Sequence, residues 1–171
     1  IDIRPSYMGF SNLGTAYTRV ERYDDAVGAY EKAIELDESD WLAWGNLAYT
    51  YHYMGKDDSL VNETFERAIA LAEQARQNSP RDAYVHSDLA LYYARTGQAE
   101  LALERVETAL ALDQENGEIL LAAAETLEDI QQRERAVELL SRAFEAGITQ
   151  QRARRNPALA DLLEDPRLED L

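Results

Sequence analysis

The sequence predicts an all-α fold, an α-solenoid of helical hairpins. Ala, Leu and Glu dominate the 171 residues, and only four prolines and eight glycines interrupt them, so most segments favour helix. Apolar residues recur at helical spacings of three and four. The pattern also returns after 34 residues, which is typical of stacked repeats.

Each repeat begins with a helix marked by a leucine, a small residue and a tyrosine. This pattern stands at Leu13-Gly14 with Tyr17, at Leu47-Ala48 with Tyr51, and at Leu89-Ala90 with Tyr93. A second apolar series with helical spacing follows each of the three: Ala26, Tyr30 and Ala33; Val61, Phe65 and Ala68; and Ala102, Val106 and Ala109. A fourth such series, Ala136, Leu140 and Ala143, follows a helix that lacks the tyrosine. Gly55 and Gly97 lie in the polar turns between the helices, where glycine can end the first helix at positive φ.

These residues resemble the tetratricopeptide repeat family, in which a large/Leu/Gly-or-Ala/Tyr helix precedes an Ala/aromatic/Ala helix. The resemblance implies hairpins stacked in a right-handed superhelix. It divides the chain into the end of a preceding repeat (1–6), four repeats (7–40, 41–82, 83–116 and a degenerate 117–147) and a C-terminal cap (148–171).

Two parts of the array depart from the regular repeat. Repeat 41–82 is eight residues longer than the period, and seven of the extra residues are expected to lengthen its second helix to a stop near Pro80. After Gly147 the chain predicts short capping helices, because Asn156-Pro157 and Asp165-Pro166 each combine a capping residue with a first-turn proline. Four leucines are expected to cover the last repeat: Leu159, Leu162, Leu163 and Leu168.

Both ends of the chain suggest a larger protein. The first six residues look like the end of an earlier repeat, and the tail from Asn156 resembles the ending of tetratricopeptide arrays in bacterial signalling proteins. We therefore expect the C-terminal part of a longer bacterial protein, such as a signalling protein.

The charge of the chain limits its partners. The net charge of −16 repels phosphate backbones and anionic lipids, so neither nucleic acid nor a membrane is an expected partner. No apolar run reaches the ~20 residues of a membrane span. We expect a cytoplasmic protein, or a periplasmic one if the full-length chain is exported or membrane-anchored.

The resemblance places the first helix of each repeat on the concave side, where side chains between the packing positions would form a peptide-binding groove. Asparagine amides would bind a peptide backbone, and tyrosines would supply rigid contact area. The alternative is that the tyrosines pack between hairpins. The predicted groove residues are Asn12, Arg19, Asn46, Tyr49, His52, Tyr53, Tyr84, Asp88 and Arg95.

Family members that bind C-terminal carboxylates use a clamp of two lysines, an arginine and an asparagine. Here only Asn46 fits, because the corresponding places hold Ser11, Thr15, Tyr84 and Asp88. The expected ligand is therefore another protein or peptide that is apolar with some positive charge.

No motif for catalysis, a metal or a cofactor stands out, and the chain has no cysteine. His86 takes a packing position, so a structural role is expected for it. We predict a non-catalytic protein-interaction scaffold that needs no cofactor. The alternative is a regulatory or dimerisation domain of a larger bacterial signalling enzyme or transcription regulator, and self-association also stays open.

Overall fold

The computed structural model describes residues 6–168. The chain divides after Gln74 into two compact units, here called the first unit and the second unit. The predicted end of a preceding repeat, at 1–6, lies outside the described residues except for Ser6, and so do the last three residues of the predicted cap.

The first unit consists of two helical hairpins. Their helices are α1 (Tyr7–Arg19), α2 (Tyr23–Leu36), α3 (Trp41–Tyr53) and α4 (Asp58–Asn78). A polar side chain begins each first helix, because Ser6 accepts a hydrogen bond from the Gly9 amide and Asp40 accepts one from the Leu42 amide, both at 3.1 Å. The end of α4 passes into the second unit, and at 21 residues this helix is seven residues longer than α2.

The first hairpin is held together by a close approach between Gly14 and the ring of Tyr30. A Cβ atom at Gly14 would lie 2.6 Å from Cε1 of Tyr30, so only glycine leaves room for this buried ring. The Tyr30 hydroxyl donates to the Thr15 hydroxyl at 3.2 Å. The Thr18 hydroxyl lies 3.4 Å from that of Thr50, which links α1 to α3.

The second unit contains two further hairpins and the C-terminal turns. Its helices are α5 (Ala83–Arg95), α6 (Ala99–Leu112), α7 (Gly117–Asp129), α8 (Arg133–Glu145) and α9 (Gln150–Ala153), followed by 3-10 turns at Pro157–Leu159, Leu162–Glu164 and Pro166–Leu168. The fold class is confirmed as an all-helical hairpin array that ends in short helical turns.

The C-terminal turns bury leucines against the last hairpin. Leu159, Leu162 and Leu168 belong to one buried cluster with Leu127 of α7 and Leu140 of α8. Leu163 is partly buried beside this cluster. The turns therefore cover the apolar face of the α7–α8 hairpin, as the sequence predicts.

The turns inside the hairpins use two different kinds of residue. Gly55 and Gly97 adopt φ of +63° and +74°, as expected for glycines that end a first helix. In the first and last hairpins, Glu21 and Gln131 take the same left-handed conformation, with φ of +59° and +62°. The hairpin turn thus keeps its geometry where the sequence has no glycine.

Candidate protein-binding surface

Six of the predicted groove residues lie in the first unit. On α1, Asn12 and Arg19 are exposed. On α3, His52 is exposed, while Asn46, Tyr49 and Tyr53 are half-buried. These last three are separated by three and four residues, so they share one face of α3. We call the set Asn12, Arg19, Asn46, Tyr49, His52 and Tyr53 the groove face.

Aromatic side chains of the groove face form a continuous cluster with Tyr23 of α2 and Phe65 of α4. Tyr53 is at its centre, with its ring 6.3 Å from Tyr49, 6.2 Å from Tyr23 and 5.8 Å from His52, measured between ring centroids. Tyr49 also meets Phe65 of α4 edge-on at 5.1 Å. Tyr49 therefore packs within its own hairpin and beside Tyr53.

The other three predicted groove residues lie in the second unit. Tyr84 is 55% exposed, and its hydroxyl accepts a hydrogen bond of 3.0 Å from the Asn116 side chain. Asp88 is half-buried on the same helix. Tyr84 and Asp88 are on α5 of the second unit and do not belong to the groove face.

Arg95 is engaged by carboxylates of α7. Its Nη2 donates to Glu125 Oε1 at 3.3 Å, and its Nε lies 3.0 Å from Asp129 Oδ2. The side chains of all three residues are largely shielded from solvent. Arg95 therefore serves as an internal counter-ion for the last hairpin, where the sequence suggested a cation available to a ligand.

Burial changes the acidity of this cluster. It raises the pKa of Glu125, although Arg95 and the hydrogen bond from Asn156 oppose the change. Burial also raises the pKa of Asp129 to about 6, against the attraction of Arg95 and with a further rise from Glu125 and Glu128. The guanidinium group of Arg95 thus compensates only part of the cost of burying the charged forms of Glu125 and Asp129.

The C-terminal segment contacts two acidic side chains of α7, one of which is Glu125 of this cluster. Asn156 Nδ2 donates to Glu125 Oε2 at 2.6 Å, and Arg152 Nη2 donates to Glu118 Oε2 at 3.0 Å. Sequence reasoning assigned Asn156 only the role of a helix cap, which it also fills by accepting from the Ala158 amide. The C-terminal segment therefore binds acidic side chains of the last hairpin directly.

His86 has a structural environment. It is 3% exposed, its Nε2 lies 3.0 Å from the Pro80 carbonyl oxygen, and its Nδ1 lies 3.4 Å from Arg105 Nη1.

None of the helices between residues 6 and 168 combines the length and apolar content that a membrane span requires. That same range holds no cluster of three side chains arranged to bind a metal ion.

Comparison with known proteins connects this arrangement to one repeat family. A sequence profile of the tetratricopeptide repeat matches residues 7–40, and a second profile of the same repeat matches residues 29–59. The matched residues contain the whole of α1, α2 and α3.

Two protein relatives share part of the sequence. The protein STIP1 homolog of Dictyostelium discoideum is 30% identical over 102 residues, which are 60% of this chain and 18% of that protein. The BBSome complex member BBS4 of Bos taurus is 26% identical over 117 residues, which are 68% of this chain and 21% of that protein. The chain thus spans about a fifth of the length of these relatives.

A solved structure supports the fold. A thermophilic TPR protein of Thermus thermophilus aligns with a TM-score of 0.51 and 22% sequence identity, over 90% of this chain and 99% of that one. At this identity the likeness concerns the fold alone.

Proposed function

We propose that this chain is a tetratricopeptide repeat protein and that its groove face binds an extended segment of another protein. Repeats of this family typically mediate protein–protein interaction, and the name of the bovine relative describes a member of a complex. The observation that carries the proposal is the aromatic cluster around Tyr53, which includes the exposed side chain of His52.

The groove face combines the two kinds of contact that a peptide needs. Tyr53 offers a flat apolar surface whose orientation is supported by Tyr49 and Tyr23, so little side-chain entropy is lost on binding. Asn12 and Asn46 each carry an amide that donates and accepts hydrogen bonds, as a peptide backbone does. This combination suits a segment bound through its backbone and one or two apolar side chains.

The negative charge of the first unit favours some ligands over others. Residues 1–74 contain 14 acidic and 6 basic side chains, a net charge of −8. Such a field attracts cations and repels acidic peptides. We therefore propose a ligand that is apolar with some positive charge.

Affinity enrichment from native lysate tests this proposal, with the full chain as bait beside the variants Tyr53→Ala and Asn12→Ala. The matched controls are Tyr84→Ala, an exposed tyrosine of the second unit, and Asn62→Ala, an exposed asparagine of α4. Captured proteins should be lost from both groove-face variants and retained by both controls.

Two outcomes would contradict the proposal that the groove face binds these proteins. If Tyr84→Ala loses the captured proteins while Tyr53→Ala keeps them, the binding surface is in the second unit. If all four variants capture the same proteins as the wild type, neither surface binds them.

One observation favours a second candidate function, self-association. Leu13 of α1 is 42% exposed, and Val20, the residue that follows α1, is 63% exposed; Ala16 lies between them at helical spacing. This apolar stripe would suit a dimerisation domain of a larger bacterial signalling enzyme or transcription regulator. Sedimentation equilibrium should then show a mass that rises with concentration in the wild type and not in Leu13→Gln/Val20→Gln, whereas a monomer at every concentration would exclude it.

A further inference from the structure

A cavity of about 490 Å³ opens between α3 and α4 in the first unit. Its volume falls within the range of about 300–1,000 Å³ that is usual for ligand pockets. The lining is mostly apolar, with charged side chains among it. The lining residues are Trp44, Leu47, Tyr51, Leu60, Glu63, Thr64, Glu66, Arg67 and Ala70.

This cavity lies on the opposite side of α3 from the groove face. Trp44, Leu47 and Tyr51 are separated by three and four residues, and so are Asn46, Tyr49 and Tyr53 of the groove face. The two series are offset by two residues, which corresponds to about 200° around an α-helix. A ligand in the cavity would therefore contact different side chains of α3 from a ligand on the groove face.

The apolar walls are accessible from outside. Leu60 is 42% exposed, Ala70 is exposed, and Trp44 and Tyr51 are half-buried. The Trp44 indole donates to the Glu38 carbonyl oxygen at 3.1 Å, which fixes the orientation of the ring. A large apolar side chain could thus contact these walls without rearrangement of the indole.

The surroundings of the cavity favour a cation next to that apolar side chain. Glu63 and Glu66 line it on α4, and Glu31 of α2 lies close enough to Tyr51 to add to the rise that burial causes in the pKa of Tyr51. The lining itself contains the two carboxylates Glu63 and Glu66 and one base, Arg67. The Arg67 guanidinium lies 5.8 Å from the centre of the Trp44 ring, so the ring already accepts one cation at its face.

We propose that this cavity is a second protein-binding site, which takes a short segment with one large apolar side chain flanked by lysine or arginine. The apolar side chain displaces water that can make few hydrogen bonds with these walls. The flanking lysine or arginine side chains lie near the carboxylates of Glu31, Glu63 and Glu66, outside the apolar part of the cavity. An acidic segment is repelled at the same place.

Peptide titration followed by NMR tests this site with the full chain. The probe is the capped peptide Ala-Lys-Phe-Lys-Ala, compared with one that has glutamate in place of both lysines and one that has serine in place of phenylalanine. We expect only the probe to shift the indole N–H signal of Trp44 and the backbone amide signal of Ala70. The shifts should saturate with a single dissociation constant.

Two pairs of variants localise the binding. Ala70→Phe fills the cavity, and its control Ala111→Phe places the same ring at an exposed site on α6. Glu63→Lys reverses a charge at the cavity, and its control Glu138→Lys reverses an exposed charge on α8. We expect at least tenfold weaker binding for each cavity variant and no change for each control. The paired design keeps the test decisive if either cavity variant fails to fold by circular dichroism.

The groove-face variant Tyr53→Ala separates this proposal from the proposed function, because probe binding to the cavity should persist in it. The cavity assignment is overturned if the Trp44 signal does not move or if the glutamate peptide binds equally well. It is also overturned if a folded cavity variant binds like its control, or if Tyr53→Ala abolishes binding.

Discussion

Alanine in place of Gly14 is expected to strain the first hairpin. The new Cβ atom would lie 2.6 Å from Cε1 of Tyr30 and 2.8 Å from its Cδ1 and Cζ. The ring has little room to retreat, because Tyr30 is 1% exposed and its hydroxyl donates to Thr15. The Gly14→Ala substitution therefore requires a shift of the ring or of the two helices.

The size of the effect follows from two opposing terms. Overpacking of a buried site costs about 1–3 kcal/mol. Alanine is favoured over glycine inside a helix by about 1 kcal/mol, which offsets part of this cost. Gly28 supplies the reference, because it is exposed in the middle of α2 and an added Cβ there meets no atom within 4 Å. Gly28→Ala should therefore stabilise the chain, and the difference between the two variants should equal the overpacking cost.

Urea and thermal unfolding followed by circular dichroism measure this difference. A gap of about 1–3 kcal/mol corresponds to roughly 2–12 °C in the unfolding midpoint at this chain length. In a Tyr30→Leu background the ring is gone, and Gly14→Ala should become as favourable as Gly28→Ala. Equal stability of the two single variants would refute the close-approach argument.

Three further predictions concern the second unit. Because the pKa of Asp129 is raised to about 6 in the fold, the folded chain binds a proton that the unfolded chain lacks between pH 6 and pH 3.8. Lowering the pH from 7 to 4 should therefore stabilise the wild type relative to Asp129→Asn by up to about 3 kcal/mol, measured by urea unfolding at both pH values. Asn156→Ala should cost about 1–3 kcal/mol at pH 7, because it removes a hydrogen bond to buried Glu125; an unchanged urea midpoint would contradict this. Leu162→Ala should cost about 2–5 kcal/mol in the same assay, because Leu162 is fully buried in the core cluster, and a loss below about 1 kcal/mol would show that the C-terminal turns pack loosely.

The helical hairpins could be predicted because their signals are local. Spacings of three and four residues specify a helix face, and a glycine after the last apolar residue marks its end, as at Gly55 and Gly97. The turns at Glu21 and Gln131 could not be found in this way. A glutamate or glutamine in a left-handed conformation has no distinct signature in a single sequence, because most such residues are helical or extended.

The candidate sites were predictable only in part, because they depend on contacts between distant residues. Arg95 and Glu125 are 30 residues apart, and Asn156 reaches Glu125 across another 31. The helical spacing placed Arg95 among the predicted groove residues but could not show that two carboxylates of α7 would engage it. The cavity was missed for a related reason, because helical spacing alone cannot reveal that small Ala70 leaves space beside Trp44.

The arginines of α8 and of the residues that follow it also determine where the charge of the whole chain is concentrated. Residues 133–171 contain 8 acidic and 7 basic side chains, whereas residues 1–132 contain 25 acidic and 10 basic ones, so 15 of the 16 net negative charges precede α8. Contacts such as Arg152 to Glu118 neutralise the C-terminal end further. A cationic ligand is therefore steered toward the N-terminal three-quarters of the chain before any contact forms. Because the Debye length falls from about 10 Å at 0.1 M salt to about 3 Å at 1 M, its association rate should depend more strongly on ionic strength than its dissociation rate.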